Sequence, residues 1–192
     1  PAWIITDASR HNAQARRMDG KPWDGIGGKK AKSLPGTDPS WPIGVPEIGA
    51  RPVVVLCEGQ PDFCAALLVA WAEEIDPDMI APVCITGAGN RIHPDALPAF
   101  RGKHVRIAMH NDAEGRSAAA RWADQLHEAG VSTVDAFDFD GLATPEGRPV
   151  EDLAAYATLI DPEQPPSTRA FARIGGGGTK QQTIPENTPI LP

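Results

Sequence analysis

The feature that most constrains the fold is a series of short apolar runs that alternate with helical patterns after residue 51. The runs are Val53–Cys57, Pro82–Thr86, Val105–Met109 and Thr133–Phe137. Runs that are apolar at most positions, instead of at every second one, are typical of strands covered on both faces, as in a parallel sheet. We therefore predict an α/β fold in which a compact, mainly parallel four-stranded sheet is flanked by helices.

Three helices are predicted between and after these strands. The first begins at Pro61, because proline is well tolerated in the first helical turn. Its large apolar side chains share one face, and they are Phe63, Leu67, Leu68 and Trp71. The second helix follows Gly115 and stops at Gly130, where a glycine can adopt the left-handed conformation of a helix end. A third, short helix is predicted over Glu151–Leu159.

The two ends of the chain differ from this central region, which spans residues 51–160. Residues 1–50 are a basic N-terminal segment, in which Trp3–Thr6 and Ala13–Met18 predict one hairpin before an irregular stretch rich in glycine, proline and lysine. Residues 161–192 contain six prolines, four consecutive glycines and one aromatic residue. This tail is predicted to be disordered, because it buries too little apolar surface to offset the entropy of ordering. Since the chain starts at Pro1 without methionine, we expect it to be a piece of a longer protein.

Charge is distributed unevenly between these parts. The formal net charge is -7, but residues 1–51 hold eight lysines and arginines against five acids, whereas the remainder holds ten against twenty. A basic flank on an acidic body is compatible with phosphate contact at one edge and metal binding elsewhere, and equally with a solvated surface. No apolar run approaches the roughly 20 residues that cross a bilayer, so we expect no membrane partner and a cytoplasmic location.

Acidic side chains follow three of the four predicted strands. The acids are Glu58, Asp112, Glu114, Asp138 and Asp140, and His110 lies in the sequence just before Asp112. Because ligands of a parallel sheet bind beyond the carboxyl ends of its strands, these positions are the candidate site. Carboxylates that converge repel one another unless a cation lies among them, and oxygen ligands favour Mg²⁺ or Mn²⁺. The alternative is that each acid is an ordinary loop or helix-cap residue.

Three motifs in this order resemble the Toprim domain, a magnesium-binding fold of bacterial-type primases, topoisomerases and OLD-family nucleases. They are LCEGQPDF, ITGAGN and MHNDAEGRSAAARWADQL, within Pro52–Ala157. In that family a strand-end glutamate opens the motif and a DxD pair follows a later strand. The resemblance implies that Glu58 is this glutamate, Asp62 the acid that primase-like members carry four residues on, and Asp112 the second aspartate of the pair. The glycines that support the motifs are Gly59, Gly87, Gly89 and Gly115.

The flanking segments resemble the primases of phages and plasmids. ITDASRHNAQARRMDGKPW and GKKAKSLPGTDPSWPIG are similar to the stretch that precedes Toprim in those primases, and GRPVEDLAAY to an element that supplies a further acid, here Asp152. The basic residues that the resemblance assigns to template and nucleotide binding are Arg16, Arg17, Lys29, Lys30 and Lys32. It implies primer synthesis on single-stranded DNA from nucleoside triphosphates with Mg²⁺ or Mn²⁺, and a replicative helicase as a further candidate partner.

One departure from the family concerns the metal site directly. His110 stands where the family has the first aspartate of the DxD pair, so the site loses one negative charge and some preference for magnesium. Either fewer carboxylates suffice, with Glu114 or Asp152 compensating, or catalysis has decayed. The sequence therefore leaves three functions open: nucleotidyl transfer, metal-dependent hydrolysis of nucleic acid, and binding of nucleic acid or protein by a degenerate domain.

Overall fold

The structure, a computed structural model, describes residues 1–160 and the short strand at residues 182–183. The tail predicted to be disordered, residues 161–192, otherwise lies outside the described residues. The strands are β1 (Ala2–Thr6), β2 (Ala13–Arg17), β3 (Ala31–Ser33), β4 (Val53–Cys57), β5 (Ile80–Cys84), β6 (His104–Ala108), β7 (Thr133–Ala136) and β8 (Gln182–Thr183). The helices are α1 (Val45–Ile48), α2 (Gln60–Ala72), α3 (Ala113–Ala129) and α4 (Leu153–Ala157), with a 3₁₀ helix at Pro94–Phe100.

The central sheet confirms the predicted fold class. Its strand order is β5-β4-β6-β7-β8, and the first four strands are parallel, whereas β8 pairs antiparallel with β7. All five residues of β4 are buried. Val55 lies between Pro82 of β5 and Arg106 of β6 in the register. β5 begins and ends two residues earlier than predicted, and two residues after its end the backbone of Thr86 turns into the left-handed region with a φ of 68°.

Helices cover both faces of this sheet. On one face, α3 and the 3₁₀ helix enclose a core that contains Phe100, Trp122 and Leu126, all fully buried. On the other face, α2 and α4 enclose a second core that contains Val69 and Leu153. In the described part of the chain, no helix combines the length and the apolar character that crossing a bilayer requires.

The outward face of α2 carries the large apolar side chains of that helix. Leu67, Leu68 and Trp71 are 51%, 43% and 65% exposed, whereas alanines and Val69 face the core. The helix is apolar on all sides, so its periodicity does not indicate which face is buried. Small side chains let α2 lie close to the sheet, and this close packing decides the orientation.

The N-terminal segment forms a separate antiparallel sheet in the order β1-β2-β3. The hairpin of β1 and β2 is confirmed, and β3 adds a strand within the stretch predicted to be irregular. Ile5 packs with Ile43 and Cys84 at the edge of the central sheet. The buried amides of Gln14 and Gln60 also share a hydrogen bond. These contacts place the basic sheet beside the start of α2.

Candidate active site

Four side chains meet at the carboxyl edge of the central sheet. Glu58 follows β4 directly, Asp62 lies in the first turn of α2, His110 comes two residues after β6, and Asp152 is the N-cap of α4. We call Glu58, Asp62 and Asp152, together with His110, the carboxylate cluster. The parallel sheet produces this convergence, because it brings the ends of β4 and β6 and the starts of the helices to the same edge.

The imidazole of His110 lies in the middle of the carboxylate cluster. Its Nε2 is 3.2 Å from Asp62 Oδ2 and 3.7 Å from Asp152 Oδ2. Its Nδ1 is 3.7 Å from Glu58 Oε1. One ring therefore faces three carboxyl groups that come from three different elements of the fold.

The carboxyl groups differ in what else they bind. Asp62 is 1% exposed, and its Oδ1 accepts a hydrogen bond from the Ala154 N–H at 3.2 Å. Asp152 Oδ1 accepts from the Ala155 N–H at 2.6 Å, as helix caps do. Glu58 Oε2 is buried and has no hydrogen-bond partner among the described residues. Because a buried polar atom without a partner is costly, Glu58 offers an oxygen to a ligand of the site.

The charges of the cluster set its protonation. The hydrogen bond to Asp62, together with the negative charges of Glu58, Asp62 and Asp152, raises the pKa of His110 to about 9 against the opposing effect of burial. Burial is the main cause that raises the pKa of Glu58, and the charge of His110 opposes it. At neutral pH the imidazole is therefore protonated and supplies one positive charge among three carboxyl groups.

The donor set also fits a divalent cation. Asp62, His110 and Asp152 each offer one ligand atom, and these atoms lie within 4.8 Å of one another. Glu58 lies outside this group of three, and its buried Oε2 has no hydrogen-bond partner among the described residues. Two carboxylates with one imidazole suit Mn²⁺ better than Mg²⁺, because nitrogen ligands favour the softer transition metals. His110 must give up its proton before its nitrogen can bind a metal.

Asp112 and Glu114, the two acids predicted at the end of the third strand, lie outside the group formed by Asp62, His110 and Asp152. Asp112 is exposed and caps α3, accepting from the Gly115 N–H at 2.7 Å, and its charge contributes to the raised pKa of Glu58. Glu114 is exposed in the first turn of α3. Gly115 is required for this arrangement, since a Cβ there would collide with the His110 carbonyl oxygen.

The other predicted glycines border the cluster. Gly59 is the N-cap of α2, and a Cβ on it would lie 3.5 Å from Asp62 Oδ2. Gly87 has a φ of 139°, and its N–H donates to the Glu58 carbonyl at 2.9 Å. Nothing lies within 4 Å of the Cβ positions of Gly87 and Gly89. The loop after β5 therefore leaves open space beside Glu58.

Arg16 reaches the start of α2. Its Nη1 donates to Gln60 Oε1 at 3.3 Å, at the first residue of α2. Gln60 lies two residues before Asp62 and is held by its hydrogen bond to Gln14. The N-terminal sheet thus delivers one guanidinium to the start of the helix that carries Asp62.

The remaining predicted basic residues lie farther along the N-terminal sheet. Arg17 forms a salt bridge with Asp19 and lies 6.0 Å from the centre of the Trp23 ring, and the Lys32 Nζ lies 5.8 Å from the same ring. Lys29 and Lys30 are exposed in the loop before β3. These residues form a basic and aromatic surface of the kind that single-stranded nucleic acids bind.

Comparison with known proteins identifies the fold. No protein-family model matches the chain, and no curated protein matches it. A solved structure of the Aquifex aeolicus primase, comprising its zinc-binding and RNA polymerase domains, matches with a TM-score of 0.55 and 18% identity, over 84% of this chain and 37% of that one. A DNA primase domain from Pseudomonas aeruginosa matches with a TM-score of 0.53 and 14% identity, over 82% and 46%. The fold is primase-like.

This primase-like chain spans less than half the length of either solved chain. Within it, Asp62 has a larger part than the sequence assigned to it. The sequence interpretation used Asp62 as support for a motif, whereas the structure makes it the most buried acid of the cluster and the nearest partner of His110. The signal in the sequence is an acid four residues after Glu58, in the first turn of α2, which the family resemblance singled out.

Proposed function

We propose that this chain is the Toprim domain and preceding basic segment of a mobile-element primase that makes primers on single-stranded DNA. This proposal rests mainly on the convergence of three carboxyl groups around His110 at the carboxyl edge of a primase-like sheet. Sites of this kind suit the transfer of nucleotides from nucleoside triphosphates, because the reaction is limited by the positioning and neutralisation of phosphate charge. A replicative helicase as partner and a cytoplasmic location belong to the same proposal.

Each acid has a part in this proposal. Asp62 and Asp152 hold a divalent cation with deprotonated His110, and Glu58 adds its unpartnered oxygen. When bound, the cation neutralises the triphosphate and helps to activate the 3′-hydroxyl group of the growing primer. Asp112 holds the segment after β6 through its cap on α3, and Glu114 offers a further carboxylate at the rim.

The basic residues bind the substrates in this proposal. Arg16 contacts phosphate in this proposal, because its guanidinium lies at the start of α2, the helix that carries Asp62. The more distant surface around Trp23 binds the template strand. Its cations are Arg17, Lys29, Lys30 and Lys32.

The test is primer synthesis by this chain on a single-stranded DNA template with ribonucleoside triphosphates and Mn²⁺ or Mg²⁺. The expected result is a product that Glu58→Gln and Asp62→Asn each abolish, whereas Glu128→Gln, an exposed acid on α3, leaves it unchanged. If the template is shortened and no primer is extended, the reaction is hydrolysis of nucleic acid and not polymerisation. Product of equal yield from Asp62→Asn would refute the proposed site.

One observation favours a second candidate function. The protonated His110 itself places a positive charge among the carboxyl groups and partly neutralises them, as a metal ion would. A domain in this state binds nucleic acid through its basic sheet without catalysis. Binding of single-stranded DNA that is unchanged by a chelator and by Glu58→Gln, with no product under any metal, would support this candidate over the first.

A further inference from the structure

A cavity of about 250 Å³ opens beside the carboxylate cluster, at the carboxyl ends of β6 and β7. Its walls include Met109, Asn111, Arg116, Phe137, Asp138 and Asp140. This volume is slightly below the range typical of pockets for drug-sized ligands, which begins at about 300 Å³. A space of this size takes a ligand about as large as one nucleoside.

The cavity and the carboxylate cluster share the chain segment that follows β6. Asn111 lines the cavity, whereas its neighbour His110 faces the cluster. The Asn111 N–H donates to the Glu151 carbonyl at 2.7 Å, and the next residue is Asp152 of the cluster. A ligand in the cavity therefore lies next to the cluster, separated from it by one stretch of backbone.

The polar groups of the cavity are held by a chain of hydrogen bonds. Arg116 Nη1 donates to Asn111 Oδ1 at 3.1 Å, and Asn111 Nδ2 donates to Asp140 Oδ1 at 3.0 Å. The Asp140 N–H in turn donates to Asp138 Oδ1 at 2.9 Å. This chain sets the orientation of the Asn111 amide and fixes the two carboxylates in the loop after β7, so the polar groups are in place before a ligand arrives.

The lining of the cavity contains apolar, acidic and basic side chains. Met109 and Phe137 are partly buried apolar side chains, and the Phe137 ring is supported by Phe139 at 4.5 Å and Tyr156 at 5.5 Å between ring centres. A supported aromatic face suits the stacking of a planar base. The carboxylates of Asp138 and Asp140 accept hydrogen bonds from hydroxyl groups, and they repel phosphate.

Arg116 supplies the opposite charge. It lies in the first helical turns of α3, where the helix dipole also favours an anion. A guanidinium binds phosphate with parallel hydrogen bonds. The cavity thus combines an aromatic wall, carboxylates that accept hydrogen bonds from hydroxyl groups and a cation that binds phosphate, which are the complements of base, sugar and phosphate.

We infer that this cavity binds the base and sugar of the incoming nucleoside triphosphate, with the phosphates directed to Arg116. The inference rests on the proposed function and names where its substrate binds. Asp138 accepts a hydrogen bond from the sugar hydroxyl groups, so the cavity distinguishes ribonucleotides from 2′,3′-dideoxynucleotides.

The test is calorimetric binding of ribonucleoside triphosphates and their 2′,3′-dideoxy forms to the whole chain with Mn²⁺ present. Asp138→Asn is expected to weaken ribonucleotide binding about tenfold, the loss typical of a hydrogen bond to a charged group. The same variant is expected to leave dideoxynucleotide binding unchanged. Arg116→Gln is expected to weaken both, whereas Asp124→Asn, an exposed acid on the far part of α3, weakens neither.

The outcomes separate this inference from the proposed function. If the wild-type chain binds nucleotides and makes primers, but Asp138→Asn and Arg116→Gln bind as tightly as wild type, the cavity inference is wrong and the proposed function stands. If binding depends on the cavity residues but no primer forms, the inference stands and nucleotidyl transfer is wrong. Failure of the wild-type chain to bind any nucleotide overturns the inference. Thermal melts check that each variant is folded, and Phe137→Leu provides a second, uncharged change in the cavity wall.

Discussion

Competition between a proton and a metal at His110 is expected to make metal binding depend steeply on pH. The pKa of His110 is raised to about 9, and its Nε2 faces Asp62 and Asp152. A divalent cation that takes this nitrogen has to displace the proton. Raising the pH from 7 through 9 is therefore expected to strengthen Mn²⁺ binding.

The magnitude follows from the pKa and from the exposure of the ring. Well below the pKa, each unit of pH changes the fraction of neutral imidazole about tenfold, and half of the imidazole is neutral at the pKa. Full competition between pH 7 and 9 therefore amounts to about a fiftyfold change in apparent affinity. The side chain of His110 is 37% exposed, and water screens its interactions with the carboxylates. We expect a gain of about tenfold to fiftyfold across this range.

Calorimetry of Mn²⁺ binding in buffers of different ionisation enthalpy measures both the affinity and the number of protons released. About one proton per metal is expected at pH 7, and none well above pH 9. The variant His110→Asp serves as control, because a carboxylate has no proton to lose in this range and its affinity should be nearly flat with pH. Equal affinities of the wild-type chain at pH 7 and 9, without proton release, would refute the idea that His110 is a ligand.

Four further predictions concern variants and pH. His110→Asp is expected to raise Mg²⁺ affinity above that of wild type, measured by calorimetry, because it replaces a positive charge with a hard oxygen donor. Without metal, protonated His110 stabilises the fold below its ordinary pKa of 6.5, and this contribution is lost as the pH rises through about 9, so the melting temperature should fall over that range in wild type and not in His110→Gln. Gly115→Ala is expected to cost about 1–3 kcal/mol of unfolding free energy in urea titrations through collision with the His110 carbonyl, whereas Gly89→Ala, with open space beside it, should change stability little. Replacing Lys29, Lys30 and Lys32 with alanine should flatten the salt dependence of single-stranded DNA binding, by up to about 0.7 logarithmic units of slope per lost contact. An unchanged slope would show that these lysines are ordinary surface residues.

Local patterns were sufficient to predict the four parallel strands of the central sheet, although β5 lies two residues earlier than predicted and the short strand β8 was not predicted. The apolar run Val53–Cys57 matches β4 residue for residue, and Gly130 ends α3 in the left-handed conformation with a φ of 81°. These features depend on neighbours within a few residues, since strand burial and helix capping act over one or two turns of chain. The position of Glu58 at the carboxyl edge of the sheet follows from the same local reasoning.

The order of the strands and the packing of the helices determined the long-range contacts, which sequence patterns do not contain. Asp62 meets His110 across 48 residues and the Ala154 N–H across 92. The face of α2 that is buried, and the pairing of the three-residue strand β3 with β2, also depend on distant partners. A sequence pattern reports period and propensity, whereas long-range contacts depend on the free energy of the whole packed chain, so only the tertiary structure showed that His110 lies among three carboxyl groups.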